Sequence, residues 1–259
     1  MLEVRDLGVW FGDRQVVAVD ALDLDKSQTL GIVGETGSGK SMTAYAIAGL
    51  APGMGARVEG SVKLDGQELI GLSDGALRDI RGRRIAMIFQ APISSLNPVF
   101  RVGDVFLRAL RLHGASKADA RERAAEAMRS VALSPDLLHR YPHQLSGGQA
   151  QRVAIAMAVA LRADVLIADE PTSALDVTVQ AEILDVLEKL RAEESLAMLF
   201  ISHDLAVVSG ICDTVAIMYD GEVVERGPVS ETLHHPSHPY TRELLAAVPK
   251  LTTPEATDA

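Results

Sequence analysis

Three runs of the chain are apolar almost without interruption: LGIVG (Leu30–Gly34), RIAMIFQ (Arg84–Gln90) and VLIAD (Val165–Asp169). Runs this short, with no polar side, predict strands buried on both faces. MLFIS (Met198–Ser202) and VAIMY (Val215–Tyr219) read the same way. The first thirty residues and Val58–Leu69 predict further short strands, the latter turning at Asp65-Gly66. Asp220-Gly221 predicts a second hairpin, leading into EVVERG.

Between these runs the apolar period lengthens to that of a helix. SMTAYAIAGL (Ser41–Leu50) predicts a helix closed by Pro52, Gly53 and Gly55. From about Gly103 the pattern is helical. Ser116 and Asp119 suggest a capping box, followed by a stripe of Ala120, Ala124, Ala127, Met128 and Val131 that ends at Ser134-Pro135. A long apolar helix runs to Leu161, and a later one carries Val179, Ile183, Val186, Leu187 and Leu190 on one face. Strands alternating with helices argue for a largely parallel sheet covered on both sides, interrupted by an all-helical stretch from about Val99 to Leu145. The sequence after Pro228 is less regular, and the closing TTPEATDA is expected to fray.

Composition narrows the function. With 259 residues, 47% apolar and 23% charged, the chain can bury a sizeable core. A net charge of −10 and only 4% aromatic residues argue against a nucleic-acid partner. The single cysteine, Cys212, leaves no internal disulfide, reads as a core residue and fits a reducing compartment. The N-terminus lacks a signal-peptide pattern, and the longest apolar run, Val153–Leu161, is too short to span a bilayer. Membrane work is therefore expected to go through a partner.

GETGSGKS (Gly34–Ser41) matches G-x-x-x-x-G-K-[ST] at every fixed position, after a buried strand and before a helix. Its glycines let several N–H groups converge on one anion at a helix N-terminus. Lys40 is expected to reach the β- and γ-phosphates, and the Ser41 hydroxyl to bind Mg²⁺. VLIADE supplies the acidic partners, Asp169 for Mg²⁺ and Glu170 to polarise an attacking water. Ser146, Gly147 and Gly148 in YPHQLSGGQAQR open another helix. On physics alone they are either a second anion site or a glycine-rich cap serving the fold.

LSGGQ (Leu145–Gln149), with GETGSGKS and VLIADEPTSALD, resembles the nucleotide-binding subunit of an ATP-binding-cassette (ABC) transporter, and the likeness covers nearly the whole chain. The resemblance implies a P-loop NTPase (RecA-like) α/β core at 1–90 and 146–230, including an N-terminal antiparallel β subdomain. It also implies an inserted α-helical subdomain at 91–145 and a tail at 231–259. ATP and Mg²⁺ are the implied cofactors. Gly34, Glu35, Thr36, Gly37, Ser38, Gly39, Lys40, Ser41 and Met42 would hold the phosphates, with Phe11 on adenine and Trp10 on the opposite face of its strand. Ser146, Gly147, Gly148 and Gln149 would close over a nucleotide held by a second cassette. Gln90 corresponds to the glutamine that contacts Mg²⁺ and water, His203 in FISHD to the γ-phosphate switch, and SALD (Ser173–Asp176) to a loop crossing the dimer interface.

MIFQAPISSLNP, IADEPTSALDVTVQAEIL, SHDLAVVSGICD and HPYTRELLAAVP are similar to the peptide and nickel importer branch. That likeness implies a peripheral subunit on the cytoplasmic face of a prokaryotic plasma membrane. It would work with a second, non-identical cassette, two permease subunits and an external solute-binding protein. Ala91–Phe100 would receive the permease's coupling helix. The compact tail and single cysteine imply no iron–sulfur centre and lean toward metal-chelate import; His234, His235 and His238 are read as tail residues and not as a metal site. The alternative is a non-transport ATPase of the same family serving a soluble enzyme assembly.

Overall fold

In the computed structural model, residues 1–90, 96–173 and 175–247 are described. Their strands, β1 (Leu2–Phe11), β2 (Arg14–Leu24), β3 (Thr29–Val33), β4 (Arg57–Leu64), β5 (Gln67–Glu68), β6 (Ile85–Ile88), β7 (Val165–Asp169), β8 (Ala197–Ser202), β9 (Thr214–Tyr219) and β10 (Glu222–Pro228), form one sheet in the order β5-β4-β1-β2-β10-β9-β3-β8-β7-β6. The central strands β3 (Thr29–Val33), β6 (Ile85–Ile88), β7 (Val165–Asp169), β8 (Ala197–Ser202) and β9 (Thr214–Tyr219) pair in parallel. Every residue of β3, β7 and β8 is buried, as uninterrupted apolar runs require.

Alternation within these strands divides the core. Leu30, Ile32, Val165, Ile167, Leu199 and Ile201 point to one side of the sheet. Val33, Leu166, Ala168, Met198 and Phe200 point to the other. The first side is closed by α1 (Lys40–Ile47) and an antiparallel wing of β1 (Leu2–Phe11), β2 (Arg14–Leu24), β4 (Arg57–Leu64) and β5 (Gln67–Glu68). A single parallel bridge, Glu222 to Ala18, joins that wing to β10 (Glu222–Pro228). Both predicted hairpins form, with Asp65-Gly66 and Asp220-Gly221 at positive φ as their two-residue turns demand.

Helices cover the second side. Before β6, a short α2 (Asp74–Ile80), capped by Ser73, instead buries Ile80 on the first side. Then α3 (Val102–Leu112) buries Phe106 and Leu110, and α4 (Lys117–Ser130) buries Ala120, Ala124, Ala127 and Met128. Ser116 caps α4 through the Asp119 N–H, but no reciprocal bond returns from the short aspartate side chain, so only half of the expected box forms. Both helices pack with α5 (Gly147–Leu161), which ends where the sequence predicts. Beyond it, α6 (Val177–Glu194) buries Ile183, Val186, Leu187 and Leu190. The chain continues through α7 (Leu205–Ile211) and α8 (Val229–Thr232) to α9 (Pro239–Ala247), a regular helix where only irregular sequence was expected. Cys212 is buried in the helical side of the core, and burial pushes its thiol pKa up.

No helix among the described residues is long and apolar enough to cross a membrane. The expected docking segment in its first part, Ala91–Ser95, the SALD residue Ala174 and the closing TTPEATDA lie outside the described residues.

Candidate active site

The loop from Gly34 to Gly39 leaves buried β3 and enters α1 at Lys40. Its tightness has a steric reason at Gly34, where an added Cβ would stand 2.0 Å from the Met218 carbonyl oxygen. At Gly39 a φ of 98° adds a conformation that side chains resist. Lys40 folds back over the loop, and its ammonium donates to the Gly34 and Glu35 carbonyls at 2.8 and 2.7 Å. Burial lowers the Lys40 pKa, with Glu170, Asp169 and Glu35 pulling it back up.

Asp169 ends β7 across the floor. Its Oδ1 accepts from the Ser41 hydroxyl at 2.9 Å, whereas its Oδ2 is buried with no hydrogen-bond partner. Burial raises the Asp169 pKa against the Ser41 bond, and the neighbouring Glu170 charge adds to the rise. A buried carboxylate oxygen without a partner, beside a hydroxyl and with an amide carbonyl in the same cleft, is an oxygen donor set suited to a hard divalent cation.

Glu170 adopts φ 46°, a left-handed conformation that costs a non-glycine residue about 1–3 kcal/mol. Its backbone is held there by a bond from its N–H to Ile201 and by Ser173, whose N–H and hydroxyl both reach the Glu170 carbonyl. The turn aims the carboxylate into the cleft. There Oε2 accepts from the Gln90 side-chain amide at 2.8 Å, and Oε1 lies 3.3 Å from His203 Nδ1. Two residues far apart in sequence, Gln90 and His203, thus meet on the Glu170 carboxylate.

The resulting cleft, about 420 Å³, is lined by Phe11, Thr36, Gly37, Gly39, Lys40, Ser41, Met42, Gln90, Glu170 and His203 among the expected residues. Gly34, Glu35, Ser38 and Asp169 do not line it, although Gly34 and Glu35 bond to Lys40 and Asp169 to Ser41. Val16 and Tyr45 line it as well and were not anticipated. Tyr45 follows Ser41 by one helical turn, so the i, i+4 spacing was a usable signal. Phe11 and Trp10 diverge as the strand requires: Phe11 faces the cleft, while Trp10 packs over Gly8 beneath Arg57, whose guanidinium is 4.7 Å from the ring centroid.

Ser146–Gln149 are not in this cleft. Ser146 caps α5 in a full box, its hydroxyl accepting from Gln149 N–H while Gln149 Oε1 accepts from Ser146 N–H. Gly148 lies under Val179 of α6, where a Cβ would come within 2.7 Å. The LSGGQ string therefore serves packing in its own chain, and its helix start does not line the cleft at the Gly34–Ser41 loop. Of the tail histidines, His238 accepts through Nδ1 from the Tyr240 N–H at the start of α9.

A glycine-rich loop between a buried strand and a helix N-terminus, facing paired carboxylates on a strand of the same parallel sheet, defines a P-loop NTPase. Comparison with known proteins narrows the class. A family model described as ABC transporter matches residues 19–173. The oligopeptide transport ATP-binding protein OppD of Salmonella typhimurium LT2 is 48% identical over 259 residues, covering 97% of this chain and 77% of OppD. The glutathione import ATP-binding protein GsiA of the same organism is 49% identical, with 97% of this chain covered but 42% of GsiA. The chain thus spans about two fifths of that relative. Among solved structures, the ATP-binding cassette MJ0796, a dimer in a post-hydrolysis state bound to ADP and Pi, superposes with a TM-score of 0.78 at 28% identity. That match covers 88% of this chain and 99% of the other. The chain belongs to the ABC transporter family, and it binds and hydrolyses ATP.

Proposed function

We propose that the chain energises the import of peptides across a prokaryotic plasma membrane, working from its cytoplasmic face beneath two permease subunits. A second cassette, not identical to this one, completes the pair, and an external binding protein delivers the solute. Peptides are preferred to metal chelates, because relatives named for oligopeptide and glutathione transport match 97% of the chain. The observation that carries the catalytic part is the convergence of Gln90 and His203 on the Glu170 carboxylate, inside the cleft that holds Lys40.

In this reading the adenine stacks on Phe11, and the amides of Gly37–Met42 cradle the phosphates at the start of α1. Ser41, Asp169 and Gln90 would hold Mg²⁺, which when bound neutralises charge on the β- and γ-phosphates. Glu170 accepts the proton of a water that attacks the γ-phosphorus, and the bond to the β–γ bridging oxygen breaks to leave ADP and phosphate. Lys40 and His203 balance charge on the transferred group. The separation of Ser146–Gln149 from the chain's own cleft supports their use on the partner cassette's nucleotide. The core is assigned to 1–90 and 146–230, the helical insert to 91–145 and the tail to 231–259.

The test is steady-state hydrolysis by purified protein with and without Glu170→Gln. Loss of a general base predicts turnover lowered about 100- to 10,000-fold with ATP binding retained. Wild-type turnover in the variant would remove Glu170 from the role.

A further inference from the structure

The string HPYTRELLAAVP is left over once the cleft is assembled, yet the structure ties it to the phosphate loop. Tyr240, at the start of α9, is only 6% exposed and belongs to the helical side of the core. Its ring lies against Tyr219 with centroids 4.3 Å apart. Its hydroxyl accepts from the Glu35 N–H at 3.1 Å, across 205 positions of sequence. The peptide group between Gly34 and Glu35 is bonded at its other end too, since the Gly34 carbonyl accepts from Lys40 Nζ at 2.8 Å. One peptide plane is thus pinned from inside the loop by Lys40 and from outside by the tail.

The anchor behind Tyr240 is firm. On β10, Glu225 accepts from the Ser237 N–H at 2.7 Å, the Ser237 hydroxyl at 2.8 Å, the His238 N–H at 3.0 Å and the Thr241 hydroxyl. Leu244 and Leu245 of α9 pack against the core. The β9–β10 hairpin adds a second external hold, with Gly221 N–H donating to the Ser38 carbonyl at 3.1 Å.

We propose that Tyr240 is a positioning residue for nucleotide binding: its hydroxyl fixes the Gly34–Glu35 peptide and keeps the phosphate loop ordered before the nucleotide arrives. This rests on the reading of Gly34–Ser41 as the phosphate loop. Tyr240 does not line the cleft, so its effect passes through the loop backbone. Without the hydroxyl the Glu35 N–H loses its acceptor and the peptide is free to turn. Turning carries the Gly34 carbonyl away from Lys40, and ordering the loop again is then charged against binding.

Tyr240→Phe removes the hydroxyl and keeps the buried ring, and Leu245→Ala loosens α9 with the hydroxyl intact. ADP with Mg²⁺ is titrated calorimetrically into each full-length protein, and melting is recorded without nucleotide. The expected result is a Kd about threefold to tenfold weaker for Tyr240→Phe, the scale of one hydrogen bond. Leu245→Ala should melt earlier with a Kd within about twofold of wild type. Exchange of the Glu35 amide with deuterium should also accelerate in Tyr240→Phe. A wild-type Kd or wild-type exchange in Tyr240→Phe overturns the assignment, as does equal weakening by both variants, which would make the role one of packing alone. If Tyr240→Phe cannot be purified, Tyr240→Met, which likewise lacks the hydroxyl that receives the Glu35 N–H, must shift Kd in the same direction, and a wild-type Kd there overturns the assignment. Absence of ADP binding by the wild-type protein would instead sink the phosphate-loop reading itself, and this proposal with it.

Discussion

Replacing Glu225 by glutamine isolates the electrostatic part of the tail's attachment. Burial alone would push this carboxyl's pKa up, but the donors from Thr241, Ser237 and His238 outweigh it and hold the value at about 2, against an ordinary 4.5. A drop of that size corresponds to about 3 kcal/mol if fully realised, and solvent screening of this half-buried site reduces it to about 1–2 kcal/mol. Glutamine keeps one acceptor oxygen and turns an NH₂ toward groups that donate, so most of that stabilisation is lost. Because the folded pKa is depressed, the contribution is present above the unfolded value of 4.5 and disappears as pH falls toward 2. Urea unfolding at about pH 7 should therefore show the variant about 1–2 kcal/mol less stable, with the gap narrowing once pH drops below the ordinary carboxylate pKa. Equal stability of the two proteins at neutral pH would refute the reasoning. So would a gap that is the same at both ends of the range, since it would come from shape and not from charge.

Other consequences are closer to the nucleotide. Gly34→Ala places a methyl where 2.0 Å separates it from the Met218 carbonyl oxygen, so the loop must shift and ATP affinity should collapse in a nucleotide titration. An alanine variant that binds normally would mean the loop tolerates the displacement. Phe11→Ala should weaken ATP binding by about tenfold, within the range for one stacked base, while Trp10→Ala leaves affinity unchanged and loses its contact with Arg57. The reverse pattern would move the adenine to the other aromatic.

Much of this arrangement was legible in the chain. Buried strands announced themselves because a parallel sheet covered on both faces has no polar side, and both hairpins because only a few dipeptides accept two positive φ angles in succession. The start and end of α5 were readable from Ser146 and from the run that stops at Arg162. The strand order was not, because nothing local in β3 or β9 states that they are neighbours. Helix α2 was missed since seven residues with two buried side chains carry almost no period. The Tyr240–Glu35 bond and the Glu225 anchor escaped for the same reason: contacts between distant segments leave no spacing to count. Glu170's left-handed turn was likewise invisible, as its cost is met by Ile201 and Ser173 and not by a glycine.

The central claim, a peptide-importer cassette whose site is closed by a second cassette, is tested most directly by trapping the closed state in its native membrane. Tagged Glu170→Gln protein, solubilised with ATP and Mg²⁺, is purified and its companions are identified. The account predicts two permease subunits and a second, non-identical cassette, recovered with ATP and lost when Ser146–Gln149 are disrupted. Recovery with soluble enzymes alone, or absence from the membrane fraction, would contradict it.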